Sequence, residues 1–409
     1  MIRVSITKAG FIRKGPGRSY AATDVVYPSR KELVMDGVEA GEDWQGNNQW
    51  YYRVTPNKEK QYIWAGNATP VGSTTDAPDV AGSTPAESTP DAADVPGSTP
   101  ADAPGTAIDA TVAGVRVTSP IIASLGIDQI WADGESGDLA KVAILDSGIA
   151  LNCPDLTQAI GTVPRNGTAP MKNFLQNSPS MDDDYGHGSH CAGLIAARNR
   201  QHVVGVAPAS QLYVGKIRDA RTNVSIPTLL EGIRWAAGLE PDSPQDIDII
   251  SISHGSLLNR PDMQPVINQA LAKNKILVCA IGNRAPGGVP TGGFFPAVLP
   301  GVIAVGAVDL QHNFLSFNYE FDRLTICCPG ENIFSYGVQG VLEQQSGTSQ
   351  ATAICAGVIA LLVSRLKKRR ATNIPQTIMR LLLSSESRTT DNHYRYRFLN
   401  AIKLYRTIH

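Results

Sequence analysis

Three short motifs carry side chains that could do chemistry together: Asp146-Ser147-Gly148, His187-Gly188-Ser189-His190 and Gly347-Thr348-Ser349. A serine hydroxyl is inert until an imidazole takes its proton and a carboxylate holds that imidazole in one tautomer. The chain order acid, imidazole, alcohol is one of three known to build that geometry. Asn283, in Cys279-Ala280-Ile281-Gly282-Asn283, adds an amide able to donate to an oxyanion beside the backbone N–H of Ser349. Each residue also has a plainer reading. Asp146 alone suits a strand-end turn, and Ser349 alone suits a helix cap. His187 and His190 could be metal ligands one helical turn apart, but no adjacent Glu or third ligand stands at a suitable spacing. All four together, each at a strand end or helix start, favour nucleophilic catalysis.

These groups need a scaffold, and residues from about 115 to 409 supply one. Strands are predicted at 141–145, 211–215, 247–252, 276–280 and 302–306, and helices at 226–237, 263–273 and 351–366. Continuous apolar strands alternating with helices imply an α/β domain whose parallel sheet is covered on both faces. Functional groups then belong at the carboxyl ends of its strands. Asp146 ends the first of these runs, and His187 opens a small-residue helix where flanking glycines allow close approach. Ser349 precedes the apolar run 354–362, so helix-start N–H groups and the helix dipole favour an oxyanion there. The acidic run Asp182–Asp184 reads as a solvated loop, and the basic run 367–370 as a favourable helix C-terminus.

Two further segments precede this domain. Residues 1–72 are expected to form a small β domain. Val4–Ile6, Trp50–Val54 and Tyr62–Ala65 are β-prone, with turns at Gly15–Gly17 and Gly46–Asn48. Its aromatics Trp44, Trp50 and Trp64 serve either a core or a binding face. Residues 73–114 read as a flexible, extended linker, rich in Pro, Ala, Ser, Thr and Asp and without a basic residue. It holds an imperfect repeat, with 79–86 returning as 94–101, and is the expected place for proteolytic cleavage.

A chain of 409 residues with net charge −1 lacks the basic field that nucleic acid or an anionic membrane surface usually requires. No apolar run reaches the length of a membrane span, and residues 1–8 do not read as a signal peptide, so the expected location is the cytoplasm. Six cysteines, none in a C-x-x-C pair, read as buried thiols.

With these residues in place, the stretch from 120 to 409 resembles the subtilisin-like serine proteases (subtilases, peptidase class S8). The likeness extends through Val204–Pro208, Ser253-His254-Gly255, Gly282-Asn283, Phe295–Ala297 and Val302–Ala307. It implies a subtilisin-like fold and endopeptidase activity on a protein or peptide substrate. By that resemblance Asp146 orients, His187 is general base and then acid, Ser349 is the nucleophile and Asn283 stabilises the oxyanion. It further implies that Ser253, His254 and Gly255 pair with substrate backbone, with Asn223, Val224 and Ser225 opposite and Ala280 and Gly282 nearby. Cys191 is similar to its counterpart in the proteinase K and kexin branches.

Some positions depart from the family pattern. Ala353 replaces the usual Pro after the nucleophile. His254 replaces an apolar residue on the substrate edge. Phe294 stands where many members have Gly at the base of the first specificity pocket, which implies a short pocket favouring small side chains. The loop from Ala197 to Gly205 carries Arg198, Arg200 and His202 and does not resemble the family's calcium loop. No cofactor or catalytic metal is therefore expected, with a structural calcium ion left open. No inhibitory prodomain is recognisable. The front segment instead resembles bacterial SH3-like (SH3b) domains, which bind peptides or cell-wall polymers, and would recruit a partner or substrate or restrain the cleft. Two alternatives stay open: a transpeptidase of peptide maturation, and a pseudoprotease acting as a binding module.

Overall fold

Side chains alternate along a strand, so an unbroken apolar run must bury both of its faces. Val142 and Ile144 join one buried cluster, while Ala143 and Leu145 join another. Ile276 and Val278 likewise part from Leu277 and Cys279. The sheet between these cores is built from Lys141–Asp146 (β1), Met171–Asn173 (β2), Gln211–Lys216 (β3), Ile249–Ile252 (β4), Ile276–Ala280 (β5), Ile303–Val308 (β6) and Ile326–Pro329 (β7). Its order is β2-β3-β1-β4-β5-β6-β7, and every pair is parallel. The order turns back at β1, where α/β sheets place their ligands.

The computed structural model describes strand backbones within residues 2–70, the pair 106–107, and residues 119–408 apart from 163–168, 176–179, 199–201, 286, 287, 290 and 392. Contacts divide the chain into two units, Met1–Asp91 with Ala285–Val289, and Ala92–Arg284 with Pro290–His409.

Helices cover both faces of the large sheet. His187–Ala196 (α1) and Thr348–Lys368 (α4) pack into the first core, and Ile226–Ala236 (α2) and Met263–Ala272 (α3) into the second. Ser225 starts α2 by accepting the Thr228 N–H at 3.2 Å. Ile226, Leu229, Leu230 and Ile233 then recur at helical spacing toward the core. The helix α4 is apolar on all sides because it runs buried across β4 to β7. It is also long and apolar enough to cross a bilayer, although 94% of that window is buried inside the domain. Its last turn carries Arg365, Lys367 and Lys368, and Lys367 reaches Asp248 at 2.6 Å.

Ile333–Tyr336 (β8) and Leu342–Gln345 (β9) pair antiparallel, and Thr106–Ala107, from the segment read as linker, pairs with β9. The rest of that segment, with the turn expected at Gly15–Gly17, lies outside the described residues. Near the carboxyl end Tyr396, Phe398, Leu399 and Ala401 are buried, and the Leu399 N–H donates to the carbonyl of Cys327 on β7 at 2.9 Å.

Among the described residues of the front unit are eight strands. Glu32–Met35, Ile2–Ile6 and Ala68–Pro70 form an antiparallel sheet in that order. Ala22–Tyr27, Gly10–Arg13, Lys60–Trp64, Asn47–Val54 and Gly37–Trp44 form a second.

Candidate active site

Asp146 is the last residue of β1, at the turning point of the sheet order, and is fully buried. Its Oδ1 accepts the Ser147 backbone N–H at 2.7 Å. The carboxylate lies 2.8 and 3.0 Å from Nδ1 of His187, the first residue of α1. A carboxylate only accepts, so this bond assigns the proton to Nδ1 and leaves Nε2 as the basic nitrogen. The start of α1 lies directly on the exit of β1. A Cβ on Gly188 would stand 2.3 Å from the Gly148 carbonyl oxygen, so only glycine fits there.

The expectation for the acidic run needs correction at Asp183. This carboxylate is buried, and it ties the two motifs together. Its Oδ1 accepts Ser147 Oγ at 2.8 Å and the Gly186 N–H at 2.8 Å, while its Oδ2 accepts Ser189 N–H at 2.8 Å and Ser189 Oγ at 2.6 Å. Ser147 Oγ in turn accepts the Gly188 N–H at 2.8 Å. The one sequence signal is an acid shortly before a helix start, able to satisfy the free N–H groups of the first turn. The neighbouring acids make that signal read as solvated.

Ser349 lies in the first turn of α4, and its Oγ donates to the carbonyl of Ser253 just past β4 at 3.3 Å. Ser253 Oγ donates back to the Ser349 carbonyl at 3.2 Å and accepts Cys191 Sγ at 3.7 Å. Cys191 lies 4.0 Å from His187 Nδ1, so a chain of contacts joins the imidazole to the serine turn. Asn283, three residues beyond β5, is buried beside this turn. Its Oδ1 accepts the Thr348 N–H at 2.9 Å, which fixes the amide so that Nδ2 is the remaining donor.

The charges reinforce one another. Burial works to raise the Asp146 carboxyl, but His187 and His254 overcome it and hold Asp146 well below the usual carboxylate range. Burial works to lower His187, and the adjacent Asp146 charge outweighs it, leaving the imidazole well above its ordinary 6.5. His190 is a core residue. Its Nε2 meets the Ile333 carbonyl at 3.1 Å, and burial pushes the ring down to about 3.

The remaining sequence-predicted residues are placed by their own contacts, with Gly255, Gly282, Phe294 and His254 interlinked near the centre. Gly255 and Gly282 both lie against Phe294. A Cβ on Gly282 would be 2.6 Å from Phe294 Cγ, and one on Gly255 would be 3.0 Å from Phe294 Cβ. Phe294 is 8% exposed and its ring lies 5.7 Å from Tyr319. Ala280 ends β5. Asn223 and Val224 precede the helix that Ser225 caps, as a loop and not as a strand. His254 turns its ring onto Asp146, with Nε2 at 3.1 Å from Oδ1.

Arg198 places its guanidinium on the carbonyls of Gln158 and Pro208, and the Asp155 carboxylate takes the phenol of Tyr336. Arg200 lies outside the described residues. All six cysteines are free and buried.

The chain that carries this arrangement has relatives among known proteins. A family model described as the Subtilase family, peptidase S8, matches residues 137–397. The thermostable alkaline protease of Halalkalibacterium halodurans is 35% identical over 258 residues, covering 63% of this chain and 66%, just under two thirds, of that protein. Subtilisin of Bacillus pumilus is 33% identical over 246 residues, covering 59% of this chain and 84% of that one. Among solved structures, that of the prenylagaramide maturation protease PagA superposes with a TM-score of 0.58 at 26% identity. It covers 69% of this chain and 98% of that one.

Proposed function

The chain belongs to the subtilase family of serine peptidases, and from that premise we propose that it hydrolyses peptide bonds through an acyl-enzyme on Ser349. The observation that carries this reading is the buried Asp146–His187 pair, with Nδ1 held at 2.8 and 3.0 Å so that Nε2 is left to act as base. His187 takes the Ser349 proton as Oγ attacks the carbonyl carbon, then gives it to the leaving amine. The Asn283 amide and the Ser349 N–H receive the developing oxyanion. Water repeats the sequence to release the acid. Every proton transfer falls on the chain's own groups, and no cofactor is required.

The substrate is a protein or peptide. Its backbone pairs with the segment 253–255, with 223–225 opposite, by strand addition. Phe294 fills the space between Gly255 and Gly282, which selects small side chains at the cleaved position. A fluorophosphonate probe should label the protein and lose its target in Ser349→Ala. Equal labelling of both forms would refute the assignment, and absence of labelling at any pH would favour a pseudoprotease.

Similarity to a maturation protease supports a second reading, in which an amine replaces water and the product is a ligated or cyclic peptide. Mass spectrometry of the products separates the two. We further propose that the front unit is an SH3-like domain that binds a peptide or protein and recruits substrate or governs access. A tether of this composition would raise local concentration without fixing geometry. Equal activity, on every natural substrate, of a chain truncated to begin at Val115 would count against it.

A further inference from the structure

Asp146 holds two imidazoles. His187 Nδ1 reaches Oδ1 at 2.8 Å, and His254 Nε2 reaches the same oxygen at 3.1 Å. The two rings stand 4.9 Å apart between centroids, inclined by 47°, and the His254 side chain is only 9% exposed. The carboxylate only accepts, so each ring must present an N–H to it. His254 is also anchored on both sides. Ser253 exchanges hydrogen bonds with Ser349, and Ser256 pairs antiparallel with Phe295.

We infer that His254 is a positioning residue that shares Asp146 with His187, so that the two imidazoles titrate as one unit. The inference rests on the triad reading above. Two consequences follow from sharing. As a neutral donor, His254 fixes the carboxylate and takes up part of its negative charge, which weakens its hold on the His187 imidazolium. Once protonated, His254 would oppose a second positive charge on the adjacent ring. The groups facing it are Asp146 from β1, His187 from α1 and Arg218 from the segment after β3, whose guanidinium lies 3.7 Å over the Tyr185 ring. Burial depresses His254 below the ordinary histidine range; Asp146 works against this, while His187 and Arg218 add to the depression. His187 therefore takes the first proton as pH falls, and His254 takes the second. Activity should fall with a logarithmic slope of one and then steepen toward two.

The test is the pH dependence of fluorophosphonate labelling rate on the full chain, each profile scaled to its own plateau. Three forms are compared: wild type, His254→Leu and His254→Gln. Leucine removes the donor and the titrating group together. Its acid limb should move up by about one pH unit, the scale of losing one hydrogen bond to the carboxylate, and its slope should stay at one. Glutamine keeps an N–H toward Asp146 but cannot titrate. Its limb should stay near the wild-type midpoint, also with a slope of one. Superimposable profiles for all three would overturn the inference, as would a glutamine form displaced as far as the leucine form. If leucine prevents folding, the slope and midpoint of the glutamine form still decide. A wild-type chain that never labels would instead overturn the triad reading and, with it, the sharing of Asp146.

Discussion

Replacing Phe294 by glycine should open the proposed small-residue site to aromatic side chains. The Phe294 ring lies so close to Gly282 that a Cβ there would stand 2.6 Å from Cγ, and its own Cβ would meet a Cβ on Gly255 at 3.0 Å. It therefore fills the slot between Gly255 and Gly282, beside the segment 253–255 proposed to pair with substrate. Removing the ring leaves a site for one aromatic side chain. Full burial of such a side chain contributes about 1.5–3 kcal/mol. At tenfold per ~1.4 kcal/mol, kcat/KM for Phe at the cleaved position should rise about ten- to a hundredfold over wild type. The value for Ala should hold or fall. The assay is kcat/KM on paired peptides differing only at that position, with urea unfolding run alongside. Emptying a packed aromatic site costs about 3–5 kcal/mol of stability. A wild-type enzyme already preferring Phe or Tyr would refute the reasoning, as would a folded variant with no gain for aromatics.

Asn283→Leu should lower kcat by about 10²–10³ with little change in KM, a magnitude known for the same type of donor in a subtilisin; a loss below tenfold would remove Asn283 from the oxyanion site. Asp183→Ala strands the donors of Ser147, Gly186 and Ser189 in the interior. It should cost about 3–5 kcal/mol in urea unfolding, and an unchanged midpoint would contradict its bridging role. His187 must be neutral to act as base. Because Asp146 outweighs burial and raises it above 6.5, kcat/KM should climb through a midpoint above 6.5 and hold on the alkaline side. A midpoint below that value would contradict the placement of the pair.

Much of the core was legible because its pattern is local. An apolar run buried on both faces and a helix with periodic apolar residues announce themselves within about ten residues. The helices predicted at 226–237 and 263–273 end within one residue of those observed. The strand predicted from Ile247 begins instead at Ile249, because the Asp248 carboxylate is drawn out to the Lys141 N–H at 2.9 Å and to Lys367. The edge strand Met171–Asn173 was not predicted: it is three residues long and half-buried, too short for any period to show. Asp183 was misread for a related reason. Its partners Ser147 and Ser189 lie 36 residues before it and 6 after it, and only folding reveals that it faces inward while Asp182 faces out.

His254 marks the limit of motif reading at the site itself. In the sequence it is the middle residue of a segment proposed to pair with substrate, and its replacement of an apolar side chain points to a change in subsite preference. In the folded domain its ring meets a carboxylate 108 residues earlier, on the same oxygen that takes an imidazole 41 residues after it. The first separation closes because parallel strands β1 and β4 are neighbours and end side by side, with Leu145 paired to Ile252; the second closes because α1 begins directly on the exit of β1. Residues just past those two ends must crowd one another. An apolar side chain at 254 would only shield the acid there, whereas an imidazole competes for it. The shared carboxylate inferred above follows from that crowding, and an apolar residue at 254 would not create it.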